Sequence, residues 1–203
     1  MAKPAIVPST VANTLVTSVF ATVLGTMAGF AIYRYRSRVL PVLVLTPIAI
    51  PEILMGVSLL IFFVLLGVEL GMVTITLSHI AFCIGFVAIV VRSRLAGMDE
   101  SLVEAARDLG ATPWQAFRLI TLPLIMPGII AGALMAFTLS IDDFVITFFT
   151  AGVGSSTLPL QIYSMIKIAV TPEVNAISTL LMLLTLMLIV VASRISPSAL
   201  KAN

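Results

Sequence analysis

Long runs without a charged residue constrain this chain more than any other feature. No Asp, Glu, Lys or Arg occurs in residues 4–33, 70–91, 119–141 or 174–193. Each run is long enough to cross a bilayer as a helix, which takes about 20 predominantly apolar residues. Only 10% of the 203 residues are charged and 60% are hydrophobic, whereas soluble domains carry about 25% charged residues. The pattern excludes a soluble globular domain.

The hydrophobic runs predict an all-α polytopic membrane protein, with residues 1–203 forming a single transmembrane domain. The second predicted span, over residues 40–68, contains Pro47, Pro51 and Glu52, so we expect its backbone to be kinked or locally unwound there. About five transmembrane helices are predicted, over residues 11–33, 40–68, 72–91, 124–149 and 174–192.

The basic residues predict the orientation of the chain. Their positions assign nine of them to one side of the membrane: Arg34, Arg36, Arg38, Arg92, Arg94, Arg107, Arg118, Arg194 and Lys201. Only Lys3 and Lys167 fall on the other side. Because cytoplasmic loops carry the excess of Lys and Arg, the arginine-rich side is predicted to be cytoplasmic and the N-terminus external. The net charge of +2 is thereby explained by topology, and no nucleic-acid partner is expected.

The polar segment between the third and fourth spans predicts a helix-turn-helix on the cytoplasmic face. Ser101 with Glu104 predicts a capping box at the start of the first helix. Gly110 stands where a left-handed residue would end that helix. Thr112, Pro113 and Gln115 then predict the start of a second helix, which Pro123 is expected to end before the fourth span.

The same segment resembles a known family. Glu104-Ala105-Ala106, Gly110, and then Ile120, Leu122 and Pro123 are similar in type and spacing to the EAA signature of binding-protein-dependent ABC transporter permeases. The resemblance implies that residues of about 98–123 dock into a cleft of a cytosolic ATPase. The residues implied to mediate this coupling are Glu104, Ala105, Ala106, Arg107 and Gly110. The alternative for Glu104 is that it only completes the capping box.

A narrower resemblance points to the spermidine/putrescine branch of these permeases, and it runs from about Asn13 to the end of the last span. It is carried by residues 140–143, 158–165 and 171–176. It implies a permease subunit in the bacterial inner membrane that imports polyamines without a cofactor. The implied partners are a cytosolic ABC ATPase dimer, a second permease subunit, an external solute-binding protein and membrane lipid. The family normally has six spans, and the one expected before Asn13 is not in this sequence. Glu52 stands where we expect the branch to carry an aspartate after a proline.

Catalytic motifs are missing from the sequence. The nucleotide-binding pattern G-x-x-x-x-G-K-[ST] and the hydrolase patterns G-x-S-x-G and H-E-x-x-H do not occur, so we expect a transporter subunit rather than an enzyme. Carboxylates inside a membrane are costly and usually face a polar cavity. Glu52, Asp142 and Asp143 are therefore candidates for a substrate path, with Tyr163 as an aromatic wall. The alternative is that the carboxylates cap broken helices or pair with a partner's basic residue.

Other interpretations stay open at this stage. The importer could serve another small solute, or the chain could be a proton-coupled secondary transporter using Glu52, Asp142 and His79 as a relay. A hydrogen-bonded packing role is favoured for His79, the single histidine. Two G-x-x-x-G pairs, Gly25 with Gly29 and Gly128 with Gly132, predict close helix packing, either within the chain or against a second permease.

The predicted orientation can be tested by cysteine labelling. In a background lacking Cys83, a membrane-impermeant thiol reagent added from outside should modify a cysteine at Val153 and spare one at Arg94. This follows from placing the arginine-rich side in the cytoplasm. Labelling of position 94 and not of position 153 would show that the orientation is the opposite of the one predicted.

Overall fold

The fold is built entirely from helices in the part of the chain that the structure describes. A computed structural model describes residues 6–35, 37–169 and 172–195. Lys3, Arg36, Thr171 and Lys201, which entered the predictions above, lie outside the described residues. The helices are α1 (Ile6–Arg34), α2 (Val39–Ala49), α3 (Glu52–Leu65), α4 (Met72–Ala96), α5 (Ser101–Asp108), α6 (Pro113–Ala116), a π-helical segment (Phe117–Thr121), α7 (Leu122–Asp142), α8 (Val145–Thr150), α9 (Leu158–Ile166) and α10 (Pro172–Ile195).

The helix lengths confirm the prediction of about five membrane spans. Four stretches are long and apolar enough to cross a bilayer, and α2 with α3 form a fifth if the bent pair counts as one span. The four continuous stretches are Pro8–Arg34, Met72–Ala96, Pro113–Asp142 and Val174–Val191.

The predicted break in the second span is confirmed at Pro51. The axes of α2 and α3 meet at 108°. A proline disfavours helical backbone in the residue before it, and Ile50 accordingly adopts extended dihedrals of φ −84° and ψ 132°. Glu52 becomes the first residue of α3 and is exposed. An acidic side chain is favoured at a helix N-terminus, so Glu52 lies at a bend and not within a straight helix.

The prediction that Pro123 ends a short second helix is wrong. The helix that begins at Pro113 continues to Asp142. It passes Pro123 because residues Phe117–Thr121 are π-helical, with the Leu122 N–H donating to the Phe117 carbonyl. A proline ring clashes with the carbonyl four residues earlier in an α-helix. The wider π turn just before the proline relieves that crowding, and the polar segment joins the fourth span without a break.

The predicted end of the fourth span, at residue 149, is also wrong. α7 stops at Asp142, and Asp143 is extended with φ −67° and ψ 124°. The chain then turns into the short helix α8, which packs against α3. Contacts of the Asp143 side chain with α8 and His79 stabilise this break. The hydropathy of the sequence contains no information about such contacts.

The core is centred on α4, which is packed between α1 and α7. A Cβ on Gly25 would lie 2.6 Å from the Cβ of Val87, and one on Gly132 would lie 3.1 Å from the Val87 Cγ1. Gly29 and Gly128 also approach α4 closely. Both G-x-x-x-G pairs therefore pack within the chain, which settles the alternative left open by the sequence.

The arginines of α1, α4 and α5 gather at one end of this bundle. Arg34 and Arg92 line one surface cavity with Glu100, and Arg34 and Arg107 line a second. At the opposite end, the Thr74 hydroxyl of α4 donates to the Thr150 carbonyl of α8 at 2.8 Å. The fold therefore collects these basic side chains at one end, as the predicted orientation requires.

Candidate functional site

The break after α7 separates two neighbouring carboxylates. Asp142 is exposed, whereas the Asp143 side chain is buried. On a continuous helix adjacent side chains point about 100° apart, and here the extended backbone of Asp143 places the two in different surroundings. Each of the two predicted site residues therefore has its own environment.

Asp143 holds the first turn of α8. Its Oδ1 accepts a hydrogen bond from the Ile146 N–H at 3.3 Å, and its Oδ2 accepts from the Thr147 N–H at 2.9 Å and the Thr147 hydroxyl at 3.0 Å. The first N–H groups of a helix have no partner within the helix. The Asp143 carboxylate supplies those partners at a buried position where water would otherwise be needed.

His79 completes a buried polar cluster, which we define as His79, Ser140, Asp143 and Thr147. The His79 Nε2 lies 3.1 Å from the Asp143 Oδ2 and 2.9 Å from the Thr147 Oγ1, and its Nδ1 lies 2.9 Å from the Ser140 Oγ. These contacts join α4, α7 and α8. His79 is thus hydrogen-bonded in the packed interior, which is the role that the sequence favoured for it.

Asp142 faces a different space, an open cavity of about 350 Å³ lined by residues of α7, α9 and α10. The rings of Phe144 and Tyr163 also line it, with their centroids 4.6 Å apart. The Lys167 ammonium lies 4.8 Å from the centroid of the Tyr163 ring, a geometry typical of cation–π attraction. The remaining wall is largely apolar and comes from residues such as Ile162 and Leu186.

This cavity has the chemistry of a site for an alkylammonium ion. A carboxylate compensates the positive charge, aromatic faces attract it, and the apolar wall suits methylene groups. The structure thus brings Asp142 and Tyr163 together, as predicted for a common path. It does not bring Glu52 to them, because Glu52 lies at the start of α3 and is not among the residues lining the cavity. Phe144 lines the same cavity as Asp142 and Tyr163, and its ring contacts the ring of Tyr163.

The segment of residues 98–123 forms the second candidate site, and its predicted capping box at Ser101 is wrong. Ser101 is the first helical residue of α5, and its N–H donates to the Asp99 Oδ1 at 3.0 Å. Hydrogen bonds from the Ser101 hydroxyl and N–H lower the pKa of the Asp99 carboxyl. Asp99, and not Glu104, accepts the hydrogen bond from the Ser101 N–H, because an aspartate side chain readily accepts from the backbone two residues ahead. Glu104 is therefore free of the box and exposed.

The predicted turn at Gly110 is confirmed. Gly110 has a φ of +90°, a conformation that glycine adopts without a steric penalty. Its N–H donates to the Arg107 carbonyl at 2.9 Å, and the Ala111 N–H donates to the Ala106 carbonyl at 3.0 Å. This pair of bonds is a Schellman motif, which ends α5 and satisfies its last carbonyls.

The predicted cap of the second helix is also confirmed. The Thr112 Oγ1 accepts from the Gln115 N–H at 3.3 Å, and the Gln115 Oε1 accepts from the Thr112 N–H at 2.8 Å. Pro113 occupies the first turn, where its missing N–H costs nothing. The turn between α5 and α6 is thus fixed by backbone hydrogen bonds on the α5 side and by side chain–backbone hydrogen bonds on the α6 side.

The surface of this turn is apolar in an unusual degree. Leu109, which caps the C-terminal end of α5, is 90% exposed, and Trp114 is 66% exposed. Leu102 in α5 is also exposed. Glu104 and Arg107 line a groove beside them. Exposed large apolar residues rimmed by charges mark a protein interaction site. Trp114 was not among the residues predicted for this site, although a tryptophan in a polar segment indicates such a surface.

Broken apolar helices, a carboxylate beside aromatic rings at the end of a candidate membrane span and an exposed helical turn are together typical of a membrane transport subunit. Residues 21–199 match the family described as "Binding-protein-dependent transport system inner membrane component". The chain belongs to this family of inner-membrane permeases.

Within this family, the chain is similar to permease proteins of polyamine transport systems. The chain is 44% identical over 187 residues to the spermidine/putrescine transport system permease protein PotC of Escherichia coli strain K12, covering 91% of this chain and 71% of that protein. It is also 44% identical over 172 residues to the putrescine transport system permease protein PotI of the same strain, covering 80% of this chain and 61% of that protein.

Solved structures support the fold. A chain of the MetNI methionine ABC transporter, in inward-facing conformations, superposes with a TM-score of 0.77 at 25% identity, covering 98% of this chain and 99% of that one. An amino acid ABC transporter crystallised with histidines superposes with a TM-score of 0.71 at 15% identity, covering 93% and 90%.

The different roles of Asp142 and Asp143 can be tested by measuring the free energy of unfolding of variants at each position. Asp143→Ala should lower the free energy of unfolding by about 3 kcal/mol, because it leaves His79 and the first turn of α8 without their buried partner. Asp142→Ala is the matched control and should change it by less than about 0.5 kcal/mol. Unfolding in detergent, followed by circular dichroism, measures both. Equal stability of the two variants would contradict the structural role of Asp143.

Proposed function

We propose that this chain translocates polyamines as the permease subunit of a binding-protein-dependent ABC importer. The observation that carries the proposal is the cavity where the Asp142 carboxylate lies beside the rings of Phe144 and Tyr163. A polyamine carries ammonium groups separated by methylenes, and this cavity offers both kinds of surface. The similarity to polyamine permeases, PotC and PotI, supports the same substrate class.

Glu52 and Asp142 act as separate steps along the path. A cation crossing the low-dielectric interior needs a carboxylate near each stage, and binding must stay weak enough for release. Glu52 lies at the 108° bend between α2 and α3, exposed, and Asp142 lines its own cavity. Asp143 stays a predicted third member, and its present contacts support a role in holding the wall of the path through α8.

The 98–123 segment is the docking element for a cytosolic ABC ATPase. Its exposed Leu109 and Trp114 offer apolar area, and Glu104 and Arg107 offer charges at the rim. Ala105 is small and exposed, and Ala106 is half-buried beside it, which permits close approach. The single permease domain of residues 1–203 would then work with an ATPase dimer, a second permease and an external binding protein. The arginine-rich end faces the cytoplasm, and the N-terminus is external.

The substrate path can be tested by removing charge while keeping shape. In vesicles holding the assembled importer, Asp142→Asn and Glu52→Gln should each lower uptake of labelled putrescine and spermidine about tenfold, the loss expected for a hydrogen bond to a charged group. Glu69→Gln is the matched control, since Glu69 is exposed in the loop between α3 and α4.

Three outcomes would count against this path. Unchanged uptake by both variants would make the carboxylates structural and remove the geometric support for a cationic substrate. Uptake that survives loss of ATP but stops when the proton gradient is collapsed would favour the secondary-transporter alternative. Uptake of a neutral solute in place of either amine would favour an importer of another class.

The docking element can be tested at its turn. Gly110→Ala should impair transport by straining a backbone at positive φ, a cost of about 1 kcal/mol in the turn itself. Gly154→Ala is the matched control, because Gly154 has a φ of +82° in a loop remote from the 98–123 segment. Glu104→Ala should reduce the amount of ATPase that co-purifies. Normal transport and normal substrate-stimulated ATP hydrolysis in both Gly110→Ala and Glu104→Ala would refute the docking assignment.

A further inference from the structure

Two side chains at the end of α1 reach the 98–123 segment from one helix face. Phe30 and Tyr33 are three residues apart, so they lie on the same side of α1. The Tyr33 hydroxyl donates a hydrogen bond to the Glu100 Oε1. The Phe30 ring packs edge to face against Phe117, with centroids 5.4 Å apart and planes at 79°.

These contacts hold the segment at both of its helices. Glu100 immediately precedes the first residue of α5, and Phe117 immediately follows α6. Trp114 stacks on Phe117 with centroids 5.7 Å apart. A continuous chain of rings therefore runs from the exposed Trp114 to Phe30 on α1.

The space around the contacts is open. A cavity of about 430 Å³ lies between α1 and the segment, and Tyr33, Glu100 and Phe117 are among its lining residues. Packed side chains do not fill this region, so α5 touches α1 directly through point contacts such as these. α1 in turn packs tightly on α4, where a Cβ on Gly29 would lie 2.7 Å from the Ala88 carbonyl oxygen.

We infer that the Tyr33–Glu100 hydrogen bond is a tether that positions the start of α5 against α1, so that movement imposed on the 98–123 segment reaches the membrane helices through α1. This rests on the proposed docking of an ATPase. It adds a second route to the one offered by the unbroken helix from Pro113 to Asp142. Tyr33 and Glu100 are positioning residues, since the bond acts on the angle of α5 and not on substrate.

The test uses the assembled importer with its ATPase, second permease and binding protein. Tyr33→Phe removes only the hydroxyl, and Glu100→Ala removes the carboxylate that accepts its hydrogen bond. Each should lower the ratio of substrate-stimulated to basal ATP hydrolysis about three- to tenfold, the range for loss of one net hydrogen bond. Tyr35→Phe is the matched control, because Tyr35 is 65% exposed two residues further along and should leave the ratio unchanged.

A double-variant cycle separates a tether from two unrelated effects. Tyr33→Phe combined with Glu100→Ala should be no worse than either alone, because one bond is lost in all three. Glu100→Gln keeps an acceptor oxygen and should restore part of the ratio relative to Glu100→Ala. The ATPase should co-purify in normal amount with each variant.

Three outcomes would overturn the tether. One is an unchanged ratio in Tyr33→Phe, another is a double variant whose loss is the product of the single losses, and the third is loss of the co-purified ATPase along with the ratio. Failure of the docking proposal itself is recognised separately, by normal coupling in Gly110→Ala and Glu104→Ala. If those two variants lose coupling and Tyr33→Phe does not, only the tether is refuted.

Discussion

The close packing of α1 and α7 on α4 is the constraint on which the rest of this structure depends. In hydrocarbon there is little hydrophobic driving force between helices, so association rests on close contact between surfaces. The side chain of Val87 is contacted by Gly25 from α1 and by Gly132 from α7. This arrangement sets the distance between the three longest described spans. It also leaves the ends of α1 and α4 in position to receive the 98–123 segment.

The continuous helix from Pro113 to Asp142 connects the two candidate sites. Its 30 residues correspond to about 45 Å at a rise of about 1.5 Å per residue. One end is the exposed turn at Gly110 and Trp114, and the other is the cavity of Asp142. The π turn before Pro123 makes this continuity possible, and the His79 cluster ends it. A continuous helix that reaches both sites is suited to link the proposed ATPase docking at one end with the shape of the Asp142 cavity at the other.

Local sequence signals predicted some features of the sites and failed on others for identifiable reasons. The turn at Gly110 and the cap at Thr112 were predicted because their hydrogen bonds join residues only a few positions apart. The capping box at Ser101 failed because Asp99, two residues earlier, competes for the same N–H. Pro123 was interpreted as a helix end because its rule describes an α-helix, and the preceding turn is π-helical. The break at Asp143 depends on His79, which is distant in sequence.

The sequence by itself determined the all-helical membrane class, the approximate spans, the bend at Pro51 and the turn at Gly110. Each depends on hydropathy over about 20 residues or on backbone rules for proline and glycine, which act locally. Tertiary structure alone decided that both glycine pairs pack within the chain. It also decided that Asp142 and Asp143 lie in different environments and that Tyr33 forms a hydrogen bond with Glu100. Those outcomes require residues far apart along the chain to approach, as Tyr33 and Glu100 do across 67 positions. No local pattern records such an approach, because it follows from how the helices pack on α4.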